Sequence, residues 1–274
     1  MVNIEQYPPQ EPFSDLATDY HTRVMCWARG IDAHDVSYGD DAYQSIAIYP
    51  PAAPSGTVLM FIHGGGWTNG YKEWNAFMAP ALLAEGVILI SIGYRLAPGH
   101  LFPTGLEDCM DGIAWVWRHI DQYAGDSARL FVGGHSAGGH YAALMGVRRD
   151  WQESRQLPRE TIRGCLPISG VYQFGEESGL SMRPRFLGNA ENDRAASPLY
   201  NIDGVPPPFF MAYGEEDFPH LIQQSQSMEH ALNAAGGDVD RIELTGCNHL
   251  SASYAAGDPD QLWVTKAVNW MKLH

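Results

Sequence analysis

The chain has little cysteine, little positive charge and no long apolar run, and each shortage removes a class of function. Its four cysteines, Cys26, Cys109, Cys165 and Cys247, are far apart in 274 residues. No close pair of the kind that builds a zinc site exists, and in a chain this long they read as mostly buried thiols of a reducing compartment. Lysine and arginine number 17 against 32 aspartates and glutamates, a net charge of −15, so nucleic acid and anionic membrane surfaces are repelled. Apolar runs of about 18 residues are missing. Residues 1–20 carry Glu, Asp and three prolines, where a secretory signal needs basic residues and an apolar stretch. The expectation is a soluble cytoplasmic protein with no nucleic-acid or membrane partner.

What is present is a globular composition, 45% hydrophobic with eight Trp and thirteen Tyr, enough for a sizeable core. A Pro- and Gln-rich arm over residues 1–13 leads into a helical pattern from Ser14 to a stop at Gly30. Short β-like runs follow at 35–38 and 44–49. From residue 57 strands and helices alternate: apolar runs at 57–62, 87–92, 130–132, 162–169, 208–213 and 239–244, with helices expected at 72–85, 104–123, after 137 and at 219–235. A last helix is expected to start with Asp258 as N-cap and Pro259 at its first position. Alternation without a linker or repeat implies a single α/β domain over residues 1–274, a mainly parallel sheet with helices on both faces. Within it, residues 1–34 form an N-terminal arm and helix. The irregular stretch at about 170–198 reads as a small cap insertion over the site.

The chemistry centres on Leu130-Phe131-Val132-Gly133-Gly134-His135-Ser136-Ala137-Gly138-Gly139-His140. A strand runs straight into Gly-x-Ser-x-Gly and on into an Ala-rich helix, so the serine stands at the apex of a tight turn that only small residues at Gly134 and Gly138 permit. Such a serine is a nucleophile, and it needs a base, an acid to orient the base, and donors for the oxyanion. His249 follows the last strand and precedes the last helix, which lets it reach the same sheet edge. His135 and His140 read as packing or supporting groups. In Gly214-Glu215-Glu216-Asp217-Phe218-Pro219, Asp217 is preferred as the acid because it lies farthest into the loop, with Glu215 and Glu216 solvated. Gly64-Gly65-Gly66, after the run at 57–62, offers amides free of side chains that with Ala137 make an oxyanion hole, or else a simple glycine-rich turn. Trp67 either lines a pocket or packs. Asp108 and Asp111 read as capping or surface groups, Cys247 as a small packed side chain, and Phe174, Phe186 and Leu187 as substrate contacts.

His63-Gly64-Gly65-Gly66-Trp67, Gly93-Tyr94-Arg95-Leu96-Ala97-Pro98, the serine motif and Ser197-Pro198-Leu199 together resemble the hormone-sensitive-lipase-like branch of the α/β-hydrolases, within it the compact esterases and kynurenine formamidases (arylformamidases). Asp35-Val36-Ser37-Tyr38-Gly39 and Ile48-Tyr49-Pro50-Pro51 are similar to the first strands of that compact group. The resemblance implies an α/β-hydrolase fold, Ser136, Asp217 and His249 as catalytic triad, and Gly65, Gly66 and Ala137 as oxyanion donors. It has no long N-terminal cap of the larger members, and three glycines precede Trp67 where many formamidases have two. The expected activity is a cofactor- and metal-free carboxylesterase acting through an acyl-enzyme on a small-molecule ester with a short acyl group and an aromatic leaving group. An arylformamidase acting on an amide is the alternative, and a non-catalytic ligand receptor on the same fold is the remote one. A homodimer is left open.

Overall fold

Runs such as Val58-Leu59-Met60-Phe61-Ile62 have no polar face, and a strand of that kind is stable only where both faces are covered. In the computed structural model, which describes residues 4–176, 178 and 183–274, they form the middle of one sheet. Residues 1–3 of the expected arm, and 177 and 179–182 of the expected cap, lie outside the described residues.

The elements in chain order are α1 (Asp15–Trp27), β1 (His34–Ser37), β2 (Ser45–Tyr49), β3 (Val58–Ile62), α2 (Ala79–Ala84), β4 (Ile88–Ile92), α3 (Thr104–His119), β5 (Leu130–His135), α4 (Ala137–Val147) and α5 (Trp151–Ser154). They continue with β6 (Gly164–Ile168), α6 (Arg183–Phe186), α7 (Asn192–Ala196), β7 (Phe209–Glu216), α8 (Pro219–Ala234), β8 (Val239–Asn248), α9 (His249–Tyr254) and α10 (Leu262–Leu273). The strands make one sheet in the order β1-β2-β4-β3-β5-β6-β7-β8. The β1–β2 and β2–β4 pairs are antiparallel, and every other pair is parallel. Met60 lies level with Val132, and Gly134 with Pro167. Whatever follows β5 therefore emerges at the middle of the carboxyl edge, where open α/β sheets place their ligands.

Alternate strand residues feed two buried layers. Met60, Ile90 and Val132 pack with α3, α4 and α8, while Leu59, Phe61, Leu89 and Phe131 pack with α1, α2 and α10. Each such side chain withdrawn from water contributes about 1.5–3 kcal/mol. On the second face α1 is capped by Ser14, whose hydroxyl accepts the Ala17 amide at 3.2 Å, and the chain turns away at Gly30 with φ +78°.

Several boundaries differ from the sequence expectation. The helix expected at 72–85 splits into a 3-10 turn at Lys72–Met78 and α2, because Pro80 has no N–H to continue the ladder. The last helix starts at Leu262 rather than Pro259: Asp258 spends its carboxylate on the Asp260 amide at 3.0 Å, closing a local turn instead of a cap. Strands β7 and β8 run on to Glu216 and Asn248, which pair with each other beyond an irregularity after Gly214.

Candidate active site

The elbow is visible in the backbone. Ser136 has φ +55° and ψ −116°, a conformation non-glycine residues hold only where the surroundings impose it. Its amide donates to the Ile168 carbonyl at 2.9 Å, tying the turn to β6. A Cβ on Gly134 would lie 2.4 Å from Gly138 backbone, and one on Gly138 would lie 2.0 Å from the Ile62 carbonyl oxygen. No larger residue fits at either position.

The extensions of β7 and β8 deliver Asp217 and His249 to the same edge. Asn248 caps α9 through a reciprocal capping box with Ser251, which fixes His249 as the first residue of that helix. His249 Nε2 lies 3.0 Å from Ser136 Oγ, and His249 Nδ1 lies 2.8 Å from Asp217 Oδ1. Asp217 also accepts the Phe218 amide at 2.7 Å and the hydroxyl of Ser169. Burial alone pushes its pKa up, but the hydrogen bond and charge of His249 and the Ser169 and Phe218 donors together hold it down at about 2. It is ionised at any working pH. Glu215 and Glu216 are exposed, although Glu215 accepts the Gly246 amide at 2.8 Å.

On the other side of Ser136 the glycine loop turns back sharply: Gly65 and Gly66 have φ +112° and +61°, and a Cβ on Gly65 would lie 2.1 Å from the Asn69 carbonyl oxygen. Among the described residues, the amides of Gly65, Gly66 and Ala137 donate to no protein acceptor. They stand free at the serine.

A cavity of about 390 Å³ opens at Ser136, Gly64–Gly66 and His249. Its apolar wall comes from Leu16, Ala17 and Tyr20 of α1 with Phe218 and Leu250, and its polar rim from Ser14, Thr68, Asn69 and Arg185. Arg185 pairs with Glu11 of the arm. The arm is held in place by paired bonds between the Gln10 amide and the Gly70 backbone at 2.8 and 2.9 Å, and by Tyr7 on Glu73 at 2.9 Å. The sequence places α1 in the chain but not at the serine, since no local pattern reports that residues 16–20 line one cavity with Ser136 and His249. The one signal the sequence offers for this wall is an aromatic, Phe218, directly beside Asp217.

The aromatic residues expected to touch substrate are elsewhere, which corrects that expectation. Trp67, Phe174 and Phe186 are 3%, 4% and 1% exposed, Trp67 stacks on Phe186 with ring centres 4.2 Å apart, and none of the three lines the cavity. Trp67 is turned inward by φ +62° and by its indole N–H, which donates to His140 Nδ1 at 3.1 Å. Leu187 is buried as well. Asp108 is no surface group either: fully buried, it grips the Arg95 guanidinium at 2.6–3.2 Å and the Arg95 amide at 2.9 Å. Asp111 is exposed and pairs with Arg155. Cys247 is buried and free. Among the described residues no three His, Cys, Asp or Glu side chains converge as metal ligands do, and no helix is long and apolar enough to cross a membrane.

Sheet order and elbow define the α/β-hydrolase fold, and solved structures share it. EstE1, a thermostable carboxylesterase from a metagenomic library, superposes with TM-score 0.74 at 20% identity, covering 94% of this chain and 95% of that one. A hyperthermophilic esterase from Pyrobaculum calidifontis gives 0.75 at 19%, covering 94% and 91%. The chain belongs to the BD-FAE family, whose model matches residues 46–232. Among curated proteins it is similar to esterase LipC of Mycobacterium tuberculosis (30% identical, 86% of this chain, 66% of the relative) and to the kynurenine formamidase of Danio rerio (27%, 79% and 74%). The chain spans about half to two thirds of the length of LipC, LipQ and LipM.

Proposed function

We propose that the chain is a serine hydrolase that cleaves carboxylic esters through an acyl-enzyme on Ser136. The observation that carries the reading is the unbroken hydrogen-bonded line from Asp217 through His249 to Ser136, at 2.8 and 3.0 Å. Ser136 Oγ attacks the substrate carbonyl carbon as His249 Nε2 takes its proton. Asp217 holds Nδ1–H and faces the imidazolium that forms. The amides of Gly65, Gly66 and Ala137 receive the oxyanion, each such donor supplying roughly 3 kcal/mol at the transition state. His249 then protonates the leaving group, and water repeats the sequence on the acyl-enzyme.

The apolar wall of Leu16, Ala17, Tyr20 and Phe218 supports a neutral substrate with a short acyl group and an aromatic leaving group, and 390 Å³ falls within the ordinary size of small-molecule sites, roughly 300–1,000 Å³. The formamidase relative, matched over three quarters of its length, supports a second reading, an N-formyl aryl amide. The free thiols of Cys109, Cys165 and Cys247 support a reducing, cytoplasmic setting.

The experiment is a comparison of kcat/KM for p-nitrophenyl acetate, p-nitrophenyl octanoate and N-formylkynurenine. Short esters ahead by orders of magnitude support the esterase, and a formamide lead supports the second reading. No turnover of any of the three by an enzyme that binds them assigns the fold to ligand binding instead.

A further inference from the structure

His135 stands directly before Ser136, yet its buried side chain serves the segment that carries His249. Its Nε2 donates to the backbone carbonyl of His249 at 2.8 Å, and the two ring centres lie 4.6 Å apart. Because a carbonyl only accepts, the proton of this imidazole sits on Nε2. The glycine loop packs against the other ring nitrogen: a Cβ on Gly64 would lie 3.1 Å from His135 Nδ1. Tyr20 of α1 lies parallel to the ring at 6.3 Å.

The segment bearing His249 needs an anchor. β8 is the edge strand, most of its residues are exposed or half-buried, and Gly246 turns through φ +67° with open space where a Cβ would lie. Its end is tied to β7 by Glu216 opposite Asn248 and by Glu215 on the Gly246 amide, bonds that set its place relative to Asp217. The His135 bond alone among these starts from the elbow. It closes a ring of contacts from Ser136 to the His135 side chain, to the His249 backbone, to the His249 side chain and back to Ser136 Oγ.

We propose that His135 is a positioning residue that holds His249 in register with Ser136 through the bond to its carbonyl and the contact with its ring. The proposal rests on the serine-hydrolase reading. A ring in this place must stay uncharged while His249 takes up the serine proton, since a cation 4.6 Å away opposes a second one. Burial, and next to it the charge of His249, pull the His135 pKa down to about 3, so it remains neutral throughout the cycle.

The test compares wild type with His135→Leu, which removes the donor, and His135→Gln, which returns an N–H at similar reach. Four quantities are read: kcat and KM on p-nitrophenyl acetate, the rate of Ser136 modification by a fluorophosphonate, and Tm. A displacement of the base by about 1 Å lowers turnover roughly 100-fold. His135→Leu is therefore expected to lose about 10- to 100-fold in kcat with KM within about twofold and to slow phosphonylation equally. His135→Gln recovers most of both. Wild-type kcat in His135→Leu overturns the proposal, and so does a folded His135→Gln as impaired as the leucine variant. If His135→Leu does not fold, His135→Gln decides alone. A wild-type chain that neither hydrolyses nor labels fails the parent reading, and is recognised by that.

Discussion

Trp67 Nε1 donates to His140 Nδ1 at 3.1 Å, and His140 Nε2 in turn donates to the Ala196 carbonyl at 2.6 Å. One imidazole thus joins the glycine loop, the helix behind Ser136 and the end of α7. Trp67→Phe keeps the stack on Phe186 but strands a fully buried acceptor, which costs about 1–3 kcal/mol. Urea unfolding should show that loss, while KM should hardly move because Trp67 does not line the cavity.

The elbow glycines are fixed by contact as well as by conformation. Gly138→Ala places a methyl 2.0 Å from the Ile62 carbonyl oxygen, where the atom in the way is backbone and cannot swing aside. A loss of about 3 kcal/mol or more is expected, read as a large fall in Tm together with loss of turnover.

The proposed acid is Asp217, the one carboxylate of the three that meets His249 Nδ1, at 2.8 Å. Asp217→Asn cannot hold His249 in the same tautomer and should lower kcat by a factor of roughly 10⁴, the size of effect known for such a change in a serine triad. Glu216→Gln, on an exposed side chain, should stay within about twofold of wild type. The reverse pattern would move the acid to Glu216.

How much of this was legible beforehand follows from how local each cause is. The buried strands announce themselves because Val58–Ile62 and Ile88–Ile92 contain no polar face, and the elbow does because Gly134 and Gly138 flank a serine between a strand and a helix. Glu215 and Glu216 looked like loop, yet the pairing of Glu216 with Asn248 keeps them in β7, a cross-strand effect invisible within either segment. Asp108 looked like a surface group because its partner Arg95 lies in a different element. The cavity wall from α1 and the inward turn of Trp67 depend on contacts 70 to 230 residues apart, such as Trp67 with His140 and Tyr20 with Ser253, and no periodicity encodes them.

Three buried histidines set the acid side of stability. Burial pulls His135 down to about 3, and His63 and His140 to about 4, the latter two against a hydrogen bond to the Gly64 and Ala196 carbonyls. All lie below the ordinary value near 6.5, so the unfolded chain binds the extra protons. The stability is whole above about pH 6.5 and falls as pH drops towards 4, by about 4 kcal/mol per pH unit at its steepest if all three take part. Asp217, ordinarily near 3.9 but held at about 2, adds a loss only below about pH 4. Denaturant titrations between pH 4 and 8 check this, and His140→Gln should remove about a third of the slope. A flat profile across that range would contradict it.

The most direct measurement is to trap the intermediate. The enzyme is mixed with p-nitrophenyl butyrate, quenched in acid within the first turnovers, digested and read by mass spectrometry. A butyryl group on the peptide containing Ser136, absent from an inactive Ser136→Ala, is the predicted result. Turnover that survives in Ser136→Ala, or an adduct on another side chain such as Cys247, would contradict a serine nucleophile at this elbow.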